Sequence, residues 1–221
     1  MKSVLITGAG TGLGASFAQK FAEQGYHIIL IGRHEKTLQE TKNTIESNGG
    51  KATTVRLDVR DRDQVEKKLP TIFEHHTIHT IVLSAGVGNF GPFKQLDPKE
   101  FNRMMDTNIG GLVNIIQVSL PFVEKQDSAT YLGIISTAGL RGKKNEAVYC
   151  ASKFAARGLM ESLAAEYEDT PIRFVRAYMG GMDTPFWEES DHIKDKSRLR
   201  PADVVADAIL EQVDKEDHIE V

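Results

Sequence analysis

Tyr149 and Lys153 stand four residues apart in "YCASK", near the start of a stretch patterned as a helix. Residues at that spacing are neighbours on one helix face, which brings an ammonium close to a phenol. A tyrosine ordinarily titrates near ~10, and acid/base work near neutrality asks for a drop of about three units, equivalent to ~4 kcal/mol in favour of phenolate. A neighbouring cation supplies part of that drop, and a second positive charge in the same pocket adds to it. Among five tyrosines, about 0.3 such pairs arise by chance at average lysine content, so the pair alone decides little. It gains weight from Ser136, which ends an apolar run thirteen residues earlier, and from Asn108 on the preceding helical stretch.

A second constellation opens the chain. In "VLITGAGTGLGASFAQKF", Gly8, Gly10, Gly12 and Gly14 fall between a strand-like run and a helical pattern. Backbone N–H groups and the positive end of the helix dipole can then face a pyrophosphate with no Cβ in the way. No Gly-Lys-Ser/Thr ends the run, so it is not a P-loop. The spacing also fits Gly10-x-Gly12-x-x-Ala15, an ordinary dinucleotide fingerprint, and a merely tight strand-to-helix turn is the plain alternative.

The elements that must hold these groups alternate regularly. Ser3–Thr7, His27–Ile31, Thr53–Leu57, Thr80–Ser84, Tyr131–Ser136 and Arg173–Tyr178 read as strands, most of them too apolar to have a wet face. Helical patterns cover Leu13–Gln24, Glu35–Asn48, Arg62–His75, Pro98–Lys125, Ala147–Glu168 and Pro201–Val213. Strands buried on both sides imply a parallel sheet covered by helices. The expected fold is therefore α/β: a single-domain doubly wound (Rossmann) parallel sheet of six to seven strands with helices on both faces, spanning 1–221. In such sheets ligands bind beyond the carboxyl ends of the strands. Gly8–Gly14, Arg33, Asp58, Ser84–Gly86, Ser136 and Gly180–Thr184 each follow a strand end.

Composition narrows the partners. A net charge of -4 argues against nucleic acid or an anionic membrane surface. The single cysteine, Cys150, excludes an internal disulfide and fits a reducing compartment, so a cytoplasmic location is expected. No apolar run reaches the ~18 residues of a membrane span, and the N-terminus enters a strand without a leader pattern.

The linked motifs resemble those of the short-chain dehydrogenase/reductase family across about the whole chain. They are Thr7-Gly8-x-x-x-Gly12-x-Gly14, Leu57-Asp58-Val59, Ser84-Ala85-Gly86, Asn108 in "TNIGG", Ser136 in "IISTAG", "YCASK", and Gly180 to Thr184 in "GGMDT". The resemblance implies a nicotinamide-dependent oxidoreductase that interconverts a carbonyl and an alcohol, with Tyr149 as proton donor or acceptor. It gives Ser136 the substrate oxygen, Lys153 the nicotinamide ribose, and Asn108 a water in the proton relay. Cofactor contacts follow likewise: Gly8, Gly10, Thr11, Gly12, Leu13 and Gly14 at the phosphates, Asp58 and Val59 at the adenine, and Ser84, Ala85 and Gly86 after the fourth strand. Gly180 and Thr184 meet the nicotinamide carboxamide, and Tyr149 and Lys153 complete the set. Family members often pair their long helices between subunits, so a homodimer or homotetramer is expected. A non-catalytic cofactor-binding regulator or scaffold is the alternative, since fold does not fix function.

The choice of cofactor rests on "LIGRHE". A carboxylate ending the second strand bonds a ribose 2'-OH and repels a 2'-phosphate, whereas Arg33 can bind that phosphate with two charge-assisted hydrogen bonds. NADP(H) is expected over NAD(H), although Thr11 occupies a position where many NADP-preferring relatives carry a second basic residue.

Other features refine the expectation. Met179 stands where the family usually has proline, which suggests a looser turn, and Ser84 replaces the usual Asn. A short lid near 185–199 and a short edge strand within Asp217–Val221 leave an open substrate mouth. Val87, Phe90, Phe93, Phe186 and Trp187 are expected to line it, which suits apolar or aromatic carbonyl compounds. The acidic run Glu188, Glu189 and Asp191 would repel anionic substrates or simply form a wet loop. His75, His76 and His79 lack the His-Glu-x-x-His frame of a zinc helix, so no metal is expected.

Overall fold

The computed structural model describes residues 2–188, 190 and 192–221. Its strands are β1 (Ser3–Thr7), β2 (His27–Gly32), β3 (Lys51–Arg56), β4 (Ile78–Leu83), β5 (Ala129–Ile134), β6 (Ile172–Tyr178), β7 (Met182–Asp183), β8 (Arg200–Pro201) and β9 (His218–Glu220). The helices are α1 (Gly12–Glu23), α2 (Glu35–Ser47), α3 (Arg62–His75), α4 (Pro98–Met105), α5 (Gly111–Val123), α6 (Ala147–Glu166) and α7 (Ala202–Leu210).

Seven strands form one parallel sheet in the order β3-β2-β1-β4-β5-β6-β9. The chain lays β2 and β3 to one side of β1 and then returns to lay β4 on the other. The loops leaving β1 and β4 therefore part, and a crevice opens beyond their carboxyl ends. The doubly wound expectation holds, and β9 is the short seventh strand at the edge.

Side-chain alternation explains the two layers. Val4 and Ile6 of β1 join Phe17, Leu38 and Ile209 of α1, α2 and α7 on one face. Leu5, between them, joins Val65, Ile115 and Met160 of α3, α5 and α6 on the other. Fully burying one such aliphatic side chain contributes ~1.5–3 kcal/mol, which is why these strands show no polar alternation. Helix starts follow their capping residues: the Asp61 carboxylate accepts from the Gln64 N–H at 3.0 Å, and Asp97 accepts from the Lys99 N–H at 2.8 Å ahead of Pro98.

Two features differ from expectation. The single helix anticipated over Pro98–Lys125 is broken by a π-helical turn at Asp106–Gly110. That turn lies where Asn108 reaches across to the loop after β4 and where Gly111 packs directly on Val59. The second is a two-stranded ladder in which Met182 pairs with Arg200 and Asp183 with Pro201. It ties together the two ends of the 185–199 segment. Among the described residues no helix is long and apolar enough to cross a membrane.

Candidate active site

The glycine turn is fixed first by a threonine. The Thr7 hydroxyl donates to the Val82 carbonyl at 3.3 Å and accepts from the N–H groups of Ser84 and Ala85 at 3.1 Å each. This single side chain fastens the end of β1 to the end of β4, so the Ser84 position is held through its backbone. Gly12 adopts φ +53°, a left-handed conformation that favours glycine. A Cβ on Gly14 would collide with the Gly8 carbonyl oxygen, so helix α1 can pack against the turn only with glycine there. The Thr11 side chain makes no capping bond to α1, and Thr11, Gly12 and Leu13 line the cleft at the helix start, where the first backbone N–H groups have no intrahelical partner. Thr37 of α2 abuts Gly10, and Thr184 lies so close that a Cβ on Gly12 would come within 3.2 Å of it. The loop after β6 thus rests on the turn after β1.

Along the cleft, Arg33 follows β2 and is exposed; its backbone carbonyl accepts from the Arg56 guanidinium at 3.2 Å. Its own guanidinium has no hydrogen-bonded or ionic partner among the described residues. Asp58 is committed differently. Arg60 donates to both of its carboxylate oxygens, at 2.6 Å for the shortest bond, and holds the carboxyl below the usual range. Val59 packs beneath, its carbonyl accepting from the Asn114 amide at 2.9 Å.

The groups beyond β5 converge at the other end. Ser136 has φ 90° and ψ 150°, a region populated almost only by glycine, and its hydroxyl accepts from the Ala138 N–H at 3.2 Å. Tyr149 is 8% exposed. Burial pushes its phenol well above the ordinary range, against a smaller downward pull from the Ser136 hydroxyl. The Lys153 ammonium donates to the Ile134 carbonyl at 2.9 Å and stands 5.8 Å from the Tyr149 ring centre. Burial lowers its pKa to about 8. In the protein alone, desolvation of the phenolate outweighs the pull of nearby polar groups. Asn108 donates to the Val87 carbonyl and the Ser152 hydroxyl and accepts from the Val87 N–H, all at 2.9 Å. A methyl on Gly86 would lie 3.4 Å from the Asn108 oxygen and 3.6 Å from the Lys153 nitrogen, so these three are neighbours. One cleft of about 1180 Å³ is lined by the glycine turn, Arg33, Asp58, Ser84 to Gly86, Ser136, Tyr149, Lys153, Gly180 and Thr184.

The family profile described as short chain dehydrogenase matches residues 2–195. The chain belongs to the short-chain dehydrogenase family. An oxidoreductase of Staphylococcus epidermidis is 29% identical over 221 residues, covering 100% of this chain and 94% of the relative. A short-chain dehydrogenase/reductase from Burkholderia phymatum, solved in complex with NAD, superposes with a TM-score of 0.91 at 23% identity, covering 99% of this chain and 88% of that one. A metagenomic short-chain oxidoreductase in complex with NADP gives 0.84 at 24% identity over 100% and 95% of the two chains. At these identities the solved structures speak for the fold.

An aromatic group lies at the mouth of this short-chain dehydrogenase. Phe90 packs on Tyr149, Trp187 and His192 with ring centres 5.4, 4.9 and 4.9 Å apart, and Phe186 closes the group at 5.9 Å. Phe93 is not part of it: it is 71% exposed on a short turn and faces a separate hollow. Met179 does not loosen its turn, because its side chain is buried with the α1 and α7 core while its carbonyl accepts from the Thr137 N–H at 2.9 Å. Gly180 follows it with open space around its Cα.

Two cleft residues escaped sequence reasoning. Glu146, buried just before α6, accepts from the His192 ring at 3.0 Å. Glu146 lies three residues before Tyr149, a spacing that could have drawn notice, but His192 has no local signal. Glu188 also lines the cleft, while Glu189 and Asp191 of the acidic run lie outside the described residues. His75 meets the Thr71 carbonyl at 2.8 Å, and His76 and His79 pack on the rings of His27 and Tyr26.

Proposed function

We propose that the protein is an NADP(H)-dependent oxidoreductase that interconverts a carbonyl and an alcohol, with Tyr149 moving the proton. The observation that carries this reading is the convergence of Ser136, Tyr149 and Lys153 at one end of a cleft whose other parts are the glycine turn and Arg33. The residues fit a dinucleotide: the turn brings backbone N–H groups to the cleft without side chains in front of them, and Arg33 offers a free guanidinium at the end of β2. When bound, NADP(H) supplies the hydride equivalent that is exchanged with the substrate carbon.

The chain supplies everything else. The Ser136 hydroxyl donates to the substrate oxygen and orients it toward Tyr149. In the reductive direction Tyr149 gives its phenolic proton to that oxygen, and the raised pKa of the phenol in the protein alone must be brought down by positive charge placed beside it. The reverse direction needs the phenolate, which a charged Lys153 favours. Lys153 holds the nicotinamide ribose, Asn108 fixes the loop after β4 and holds a water for proton exchange, and Asp58 receives the adenine amino group on lone pairs that Arg60 leaves open. Exposed Phe101, Val113 and Phe154 on α4, α5 and α6 support a homo-oligomer built on those helices.

The test is NADPH consumption across ketones and aldehydes, with Tyr149→Phe alongside. Turnover should fall by roughly 10²–10⁴-fold while the NADPH dissociation constant stays within about threefold. Near-normal turnover by the phenylalanine variant overturns the mechanism.

A further inference from the structure

Glu146 is a buried carboxylate in the substrate half of the cleft, and the proton relay makes no use of it. It is 8% exposed, and its one side-chain partner among the described residues, His192, also lines the cleft. Around the pair stand the faces and edges of Phe90, Trp187 and Tyr149. A buried carboxylate is costly unless a donor meets it, and the His192 ring meets this one with a single hydrogen bond. Aromatic faces beside a carboxylate make a site for positive charge, because ring quadrupoles and the anion attract the same ligand.

The cations at the mouth are tied elsewhere. Arg103 is paired with Glu100 at 2.6 Å and bound to the Gly88 carbonyl at 3.1 Å, and Lys143, which keeps its charge, is directed to the Thr137 hydroxyl at 3.0 Å and not to Glu146. Glu188 adds a further negative charge to the lining.

We infer that Glu146 determines specificity, selecting carbonyl substrates that carry a protonated amine, which takes the place of His192 on the carboxylate. This rests on the carbonyl–alcohol reading above and names the substrate class for it. The displaced His192 ring stays on the aromatic group as one wall of the pocket. A substrate carrying a carboxylate meets like charge at the same point and is rejected.

Three matched probes test this: 4-(aminomethyl)acetophenone, acetophenone and 4-acetylbenzoate, titrated calorimetrically into protein saturated with NADP+ and again without it. The amine should bind roughly tenfold to hundredfold more tightly than the carboxylate, the range set by a hydrogen bond to a charged group. Glu146→Gln should bring that ratio to within about threefold. His192→Ala should widen it, because the carboxylate then lacks its resident partner. Equal affinities, a preference for the carboxylate, no binding of any probe, or a ratio unmoved by Glu146→Gln overturns the inference. So does a uniform loss of affinity for all three probes in His192→Ala, which marks the pair as a lid fastening alone. NADPH binding, followed separately by its fluorescence, reports on the dehydrogenase reading: protein that binds it yet shows flat probe selectivity loses the amine site and keeps the rest.

Discussion

The Lys153 ammonium and the Tyr149 ring lie on one face of α6 with 5.8 Å between nitrogen and ring centre, both almost wholly out of water. Each is pushed toward its neutral form by burial, the phenol upward and the ammonium down to about 8. At neutral pH this gives a protonated acid beside a cation that is close to losing its proton.

That arrangement costs stability, and the cost has a pH signature. Lys153 drops from 10.5 unfolded to about 8 folded, so between those values the unfolded chain holds a proton that the native one has released. Stability contributed at this site therefore rises with pH across the window from about 8 to 10.5 and is lowest below it. Relative to Lys153→Met, which cannot titrate, wild type should gain about 3 kcal/mol on crossing that window. Urea unfolding at several pH values measures the gap. A difference that stays flat between pH 8 and 10.5 refutes the assignment.

Ser136 yields a second prediction, because its backbone and its hydroxyl can be separated. Its φ of 90° with ψ of 150° is a conformation that costs a non-glycine residue ~1–3 kcal/mol. Ser136→Ala keeps that strain and loses the hydroxyl; Ser136→Gly loses both. The glycine variant also gains unfolded-state entropy, which offsets ~0.5–1 kcal/mol of the relief. A net gain near ~1 kcal/mol should make Ser136→Gly melt about 2–4 °C above Ser136→Ala, with both inactive. An alanine variant that melts at or above the glycine one would show that the backbone there is not strained.

How much of this was legible beforehand follows from where each signal resides. The six main strands and the placement of Gly8 to Gly14, Ser136 and Tyr149 at strand ends or a helix start came from local patterns: apolar runs, glycine positions, and a helix spacing of four. The π-helical turn at Asp106–Gly110 left no such mark, since it answers to the reach of Asn108 toward Val87 across the fold. The same holds for the β7–β8 ladder, whose strands are too short to show periodicity and include Pro201. Met179 was read by its departure from a usual proline, yet its fate was decided by space in the core beside α1 and α7. Glu146 and His192 are 46 residues apart and meet only through the tertiary fold. The burial that raises the Tyr149 phenol in the protein alone is likewise invisible locally, because a charged neighbour can be read from a sequence and desolvation cannot.

Arg33 carries the cofactor prediction. Its guanidinium is exposed at the end of β2 with no hydrogen-bonded or ionic partner among the described residues, and Asp58, the carboxylate near enough to feel its charge, is already held by Arg60. A charge-assisted bond of this kind contributes about 1.5–3 kcal/mol, so NADPH should bind roughly tenfold to hundredfold more tightly than NADH. Arg33→Asp should reverse the order, since the new carboxylate accepts from a ribose hydroxyl and repels the phosphate. Because the site is wet, added salt should narrow the wild-type gap, the Debye length shrinking from about 10 Å at 0.1 M to 3 Å at 1 M. Fluorescence titration of both reduced coenzymes at the two salt concentrations decides the matter. Equal affinities at low salt would remove Arg33 from the site and leave the strand end without a means of telling the two dinucleotides apart.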